Sequence, residues 1–297
     1  MDSKAQTRLA VVALFLGVTG IGFAPVLVRL SEVGPSATAF YRVLFALPLL
    51  WLWMSRERAH NPAQVQPASF RDYLQLALAG VLFVADLAIW HWSLQYTSVA
   101  NSTLLTNLAP VFVATGGLIL FSEKSTTKFI VGMIIGLIGA GFLVGENFNL
   151  QKAHLLGDFL SLIAAVFYAA YLLSVKYLRQ RFSGPTILAW SGFVSCPGFL
   201  LAALPSGEKL WPAHLAGWLI LWALALVSHV GGQTLIAYAF GHLPAGISSV
   251  GLLWQPVVAG ALAWPILHEP LSIMQMIGGS LVLAGIALAN QPKKVRS

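Results

Sequence analysis

Two residues in this chain stand where proton exchange or the binding of a polar ligand would be conspicuous: Asp86 and His229, each near the middle of a long apolar run. A carboxyl group in hydrocarbon costs about 3 kcal/mol on insertion scales, so Asp86 is expected to face a wet cavity or a partner. It could hold a proton, order water or bind an ammonium group; the competing reading is a neutral structural carboxyl bonded to a neighbouring helix. His229 has Gln233 one turn later on the same helical face. The competing reading there is a buried histidine satisfied by one hydrogen bond. Trp90 follows Asp86 by four residues and shares its face, whereas His91 is rotated from it by about 140° and belongs to another neighbour or to the outer interface.

The remaining candidates for substrate binding supply aromatic faces and amide groups. Tyr168 and Tyr171, three residues apart, offer one aromatic face with hydroxyl handles. Trp254 and Gln255 precede Pro256, and Asn107 stands three residues before Pro110. Each of these prolines is expected to remove a backbone hydrogen bond inside an apolar run and to kink the helix. The carbonyls it frees, around Thr106 and Leu252, need a partner such as a water-filled cavity. Packing or lipid contact is the competing reading for every aromatic residue in such a chain. Arg42, about two turns into its run, has a simpler account: its long side chain snorkels to the outer surface.

What must position these residues is a set of membrane-spanning helices. Of the 297 residues, 58% are hydrophobic and only 9% charged, against roughly a quarter charged in soluble domains. A span needs roughly 20 apolar residues. Ten such runs are predicted, at about 9–30, 37–55, 73–96, 98–121, 127–145, 157–177, 186–205, 215–240, 245–267 and 272–290. The fold class is therefore an all-α membrane protein of ten transmembrane helices. The apolar run after Lys4 and Arg8 is long enough to span and is read as a retained first helix. The longest connection, from Ser55 to Asp72, is expected to be a surface loop. Cys196, the single cysteine, lies in an apolar run and is assigned to packing.

Charge placement gives orientation. Of the seventeen Lys and Arg, thirteen fall on the side that holds both termini; Arg29, Lys152 and Lys209 fall on the other, and Arg42 lies within a span. Positive charge accumulates on cytoplasmic loops, so both termini are predicted to be cytoplasmic in a bacterial inner membrane. Trp51, Trp53, Trp211 and Trp218 near span ends suit interfacial anchoring.

The chain also repeats. At an offset of 146, Pro110 falls on Pro256, Glu123 on Glu269, Gly132 on Gly278, Gly139 on Gly285 and Ser102 on Ser248. Earlier, at an offset of 150, Gly34 and Pro35 fall on Gly184 and Pro185. The predicted units are residues 1–150 and 151–297, each with five spans. Five is odd, so the second unit enters the membrane inverted relative to the first. Inverted repeats are typical of secondary transporters, whose substrate site lies near the midplane between the halves. The first, third, fourth, sixth, eighth and ninth spans are expected to line that cavity. The glycine-rich fifth and tenth spans, with Gly136, Gly141 and Gly279 as well, should pack closely at the periphery.

The duplication, Ala109-Pro110-Val111 with Gln255-Pro256-Val257, and the glutamates after them resemble the EamA-type ten-helix transporters of the drug/metabolite transporter superfamily. The resemblance covers almost the whole chain, and overall it is similar to the bacterial exporters of aromatic amino acids. It implies a secondary transporter that exports aromatic amino acids and similar planar compounds, with a small-molecule substrate and the lipid bilayer as its partners and no cofactor. An alternative is a proton-coupled exporter of other metabolites or drugs.

Other classes fit poorly. The formal charge of +7 is spread along an apolar chain with no basic face for nucleic acid. An intramembrane enzyme would need a nucleophile with a base or a metal cluster, and the sequence has no HExxH, GxSxG or clustered acids. No Walker motif and no filter-like segment speaks for ATP drive, an ATP-binding subunit or a channel.

Overall fold

A computed structural model describes residues 3–97, 99–144, 155–268 and 272–291. The described residues form helices joined by short turns and loops, with no strand among them. Among the described residues, eight helices are long and apolar enough to cross a membrane. These are the first to fourth spans, Ala5–Arg29, Pro35–His60, Phe70–Ser93 and Asn101–Phe121, and the sixth to ninth, Leu155–Leu178, Gly184–Ser206, Leu215–His242 and Ala245–Leu267. The fifth and tenth, Thr127–Leu143 and Ile273–Ala289, are shorter apolar helices.

Local chemistry sets where the helices start. Ser69 with Asp72, and Ser272 with Gln275, form reciprocal capping boxes at the third and tenth spans. Elsewhere a distant carboxylate serves. Glu208 accepts from the Ser36 and Ala37 amides at 2.9 and 3.3 Å, and Glu123 accepts from the Ala245 and Gly246 amides at 2.8 and 3.4 Å. Glu32 accepts from the Ala213 amide at 2.6 Å, ahead of the eighth span. Each ties one helix end to a loop far away in sequence and meets donors left over at that end. The Glu123 counterpart, Glu269, lies outside the described residues, as do Lys152 and the C-terminal Lys293, Lys294 and Arg296.

Three expectations need correction. The second helix runs on to His60, so the loop from Ser55 to Asp72 shortens to residues 61–69. Asp72 is buried in its capping box and ion-paired to Arg181 at 2.6 Å, so it anchors the third span rather than belonging to a solvated loop. Pro110 and Pro256 do not kink continuous helices; they stand in the first turn of new segments, Ala109–Phe121 and Trp254–Leu267, after breaks at 107–108 and 252–253. The first four amides of a helix have no partner within it, so proline costs little there. The carbonyls of Ser102 and Thr103 just before the first break accept from the Thr106 hydroxyl, both at 3.0 Å.

Packing follows a regular plan. The first span packs on the eighth and ninth, and the sixth packs on the third and fourth; the second packs on the seventh, the fifth on the tenth. The fifth and tenth approach as only glycine allows. A methyl group added at Gly132 would lie 2.5 Å from the Gly285 carbonyl oxygen, and one at Gly285 would lie 2.5 Å from the Gly132 oxygen. Gly139 and Gly278 meet in the same way at 2.7 Å. Ser122 and His268, at the ends of the fourth and ninth spans, both adopt left-handed backbone, with φ of 52° and 57°. Cys196 is buried among apolar residues, in keeping with packing.

Candidate functional site

The middle of the bundle gathers polar groups without giving them partners. Asp86 lies seven residues before Ser93, the end of the third span; Arg42 lies seven residues after Pro35, the start of the second. The ends of these spans are level, because the Ser36 hydroxyl and His91 Nδ1 are 3.3 Å apart. At about 1.5 Å per residue, Arg42 is then about 9 Å and Asp86 about 7.5 Å below that contact. The two charged side chains therefore sit at nearly one depth.

Both lie within electrostatic range of the tyrosine pair of the sixth span. Tyr168 and Tyr171 present nearly parallel rings, centroids 6.5 Å apart at 19°, and both Asp86 and Arg42 interact electrostatically with both hydroxyls. Phe83, one turn before Asp86, packs its ring 5.0 Å from Tyr171, 6.0 Å from His229 and 5.5 Å from Phe199. Arg42 also acts electrostatically on His229. Helices two, three, six, seven and eight thus meet around one cluster.

The eighth span changes geometry at this level. Residues Leu224–Gln233 form a π-helical segment between two α-helical ones, and His229 and Gln233 lie in it, both buried. Such segments lose regular i to i+4 pairing and recur at functional sites. His229 is 2% exposed, and neither ring nitrogen has a hydrogen-bond partner among the described residues. The same holds for Arg42 Nε and Nη2, which are buried. Asp86, 8% exposed, makes no hydrogen bond or ion pair with any described residue. Buried polar groups are normally bonded, so three at this level of the bundle stand out among the described residues.

The other predicted residues are spread around this cluster. Trp90 is half-buried, its ring 5.2 Å from His91. Asn107 lies at the break in the fourth span with its buried Nδ2 unpartnered. Trp254 faces the first span: Nε1 donates to the Thr19 hydroxyl at 3.1 Å, and its ring meets Phe15 edge-on at 6.4 Å. Gln255 is half-buried in the first turn of the segment after the break. Asp86, Tyr168, Tyr171 and His229 are the ones brought together.

Sequence reasoning missed three members. Arg42 does not snorkel, since its Nε and Nη2 are buried and its charge acts on the tyrosines and His229. Phe83 and Phe199 complete the aromatic wall. A signal existed for Phe83, three residues before Asp86 and so on its face; none existed for Phe199. Another buried acid, Asp158, was also missed, but it is engaged: Thr97 Oγ1 donates to it at 2.6 Å and Asn101 Nδ2 at 3.2 Å. A cleft of about 640 Å³ lies elsewhere, between the second and eighth spans, lined by Leu52, Trp53, Arg56, Glu57 and His60 among others and by none of the candidate residues. No three His, Cys, Asp or Glu among the described residues are grouped to hold a metal ion.

Comparison with known proteins assigns the scaffold. The model of the EamA-like transporter family matches the chain twice, over residues 8–145 and 155–291. The chain belongs to the EamA-like transporter family. An uncharacterized transporter of Archaeoglobus fulgidus is 25% identical to this EamA-like chain over 97% of it and 98% of the relative. A probable terminal-alkyne amino-acid exporter of Streptantibioticus cattleyicolor is 26% identical over 78% of each chain. A crystal structure with 16% identity superposes with a TM-score of 0.78, covering 95% of this chain and 96% of its own, and shares the fold. This EamA-like protein is a multi-pass membrane transporter of small molecules.

Proposed function

We propose that this EamA-like protein is a secondary transporter that exports aromatic amino acids and similar planar compounds across the inner membrane by alternating access. The carrying observation is the buried cluster in which a stacked tyrosine pair adjoins Asp86 and His229, neither of which has a protein partner. Flat rings stack a planar ligand, and unpartnered polar groups fix its orientation. The amino-acid exporter among the relatives supports an amino-acid cargo.

The mechanism is read as two inverted five-helix repeats that rock about the cluster. Three observations support it. The family model matches twice, and the left-handed caps Ser122 and His268 are 146 residues apart. The glycine contacts are reciprocal: Gly132 meets Gly285 and Gly139 meets Gly278, where 278 and 285 are 132 and 139 shifted by 146. Two equivalent surfaces that exchange partners in this way are related by a two-fold axis. The pairing also runs antiparallel, so that axis crosses the helices rather than following them, as inversion in the membrane requires. The positive charge then sets both termini in the cytoplasm.

We read the transport as facilitated, since a committed proton relay would need more titratable members than Asp86 and His229. The test is flux in liposomes. Phe, Tyr and Trp should move faster than Ala and Ser, and a pH gradient alone should drive no accumulation. Equal flux of all five ends the aromatic reading, and accumulation driven by the pH gradient ends the facilitator reading.

A further inference from the structure

The cluster contains two opposite charges that the protein does not join. Arg42 and Asp86 lie at nearly the same depth on antiparallel spans, as the Ser36–His91 contact fixes. Each acts electrostatically on the same two tyrosines from its own helix, yet no ion pair forms between them among the described residues. Arg42 makes no hydrogen bond with any described residue, and two of its nitrogens are buried. A guanidinium presents its donors in a planar fork that matches a carboxylate. At membrane depth a charge of either sign is expensive unless something neutralises it. Opposite charges at one depth that are not joined to each other suit a ligand that carries both signs.

We infer that Arg42 and Asp86 form a two-pole site, in which Arg42 takes the carboxylate of a zwitterionic α-amino acid and Asp86 takes its ammonium group, with the side chain against Tyr168, Tyr171 and Phe83. This rests on the reading that the cluster is the substrate site, and it narrows the substrate class. Amines without a carboxylate and acids without an ammonium satisfy one pole and leave the other charge buried and unpaired, so they bind less well. Positions 42 and 86 thus select for the shared backbone of amino acids, and the aromatic wall selects among their side chains.

Three phenyl compounds separate the poles: phenylalanine, phenethylamine and 3-phenylpropionate. Their binding to purified protein in detergent is measured by titration calorimetry for wild type, Arg42→Gln, Arg42→Lys and Asp86→Asn, with thermal melting of each variant as the folding control. Wild type should bind phenylalanine most tightly. Arg42→Gln should weaken phenylalanine and 3-phenylpropionate by about tenfold or more, the scale of a lost charge-assisted hydrogen bond, and change phenethylamine far less. Asp86→Asn should weaken phenylalanine and phenethylamine and change 3-phenylpropionate far less. Arg42→Lys should keep the order of the three ligands and lose part of the affinity, because an ammonium cannot present the fork.

Equal weakening of all three ligands by Arg42→Gln would make Arg42 structural and overturn the inference, as would no weakening of phenylalanine. The same set is run with alanine, ethylamine and propionate. If wild type binds alanine as tightly as phenylalanine, the aromatic reading falls while the two poles are still decided by the variants. If it binds neither amino acid, the two-pole site is refuted.

Discussion

The seam between the fifth and tenth spans and the cluster around Asp86 lie in the same bundle and are built by opposite rules. At the seam, glycines bring backbone against backbone, with no room for a single added methyl at Gly132, Gly139, Gly278 or Gly285. Around Asp86, large side chains come together and leave Arg42, Asp86 and His229 without protein partners. In lipid there is little hydrophobic drive between helices, so close van der Waals contact does the holding. Polar groups left unsatisfied oppose folding and persist where a ligand is to meet them. The seam is built for close contact, and the cluster is where ligand chemistry is proposed.

The sharpest way to break that division is to thicken the seam. Gly285→Val places a side chain 2.5 Å from both the Gly132 oxygen and the Gly136 nitrogen, and a backbone atom cannot step aside. The expected cost is about 3 kcal/mol, the upper end of overpacking, visible as a large drop in melting temperature and folded yield. Gly141→Ala is the matched control. Its nearest neighbour, Leu104 Cδ1, is 3.6 Å away, an ordinary contact, and melting should hardly move. If both variants melt alike, close glycine packing is not what holds the seam.

A pair of carboxylates sharpens the comparison at intermediate size. Glu123 caps the ninth span and pairs with Lys176 at 3.0 Å, both side chains being largely covered. Glu123→Gln should therefore cost about 2 kcal/mol of stability, the scale of hydrogen bonds to a charged group. Asp86→Asn removes no hydrogen bond or ion pair and takes away a charge that is costly at that depth, so its melting temperature should not fall below that of wild type. Its phenylalanine flux should nevertheless fall about tenfold, or about 1.4 kcal/mol in the barrier. A variant at Asp86 that melts early and transports normally would reverse the assignment of the two acids.

The smallest effect is expected at the loop ahead of the eighth span. The Ala213 amide bond to Glu32, aided by His214, holds its carboxyl below the ordinary value of 4.5. A lowered value in the fold means that this contact contributes above pH of about 4.5 and is lost as pH falls through the lowered value. Hydrogen exchange of the Ala213 and His214 amides, corrected for intrinsic rates, should be slower in wild type than in Glu32→Gln at pH 7. The difference should vanish in acid; one that persists there would remove Glu32 as its cause.

Much of the scaffold was legible because the solvent dictates it. Lipid demands about twenty apolar residues per crossing, and the predicted runs fall within a few residues of the observed helices. The fifth and tenth spans were readable as close-packed for a similar reason: Gly132, Gly139, Gly278 and Gly285 leave a helix little to offer except proximity. Asp86 and His229 stood out because polar groups are costly at that depth.

The sequence by itself determined which segments lie in the membrane, because hydropathy is a property of each segment and needs no partner. Only the tertiary structure decided which polar residues meet. Arg42 looks like a snorkelling side chain when its helix is read alone, since nothing within one turn of it is acidic. It belongs to the cluster because the second span packs against the seventh and eighth and turns that face inward toward Tyr168, Tyr171 and His229. The π-helical segment that carries His229, which packs against the first and second spans, was equally invisible in its apolar residues. Burial of one helix face is decided by its neighbours, and the neighbours are fixed only when the whole bundle closes.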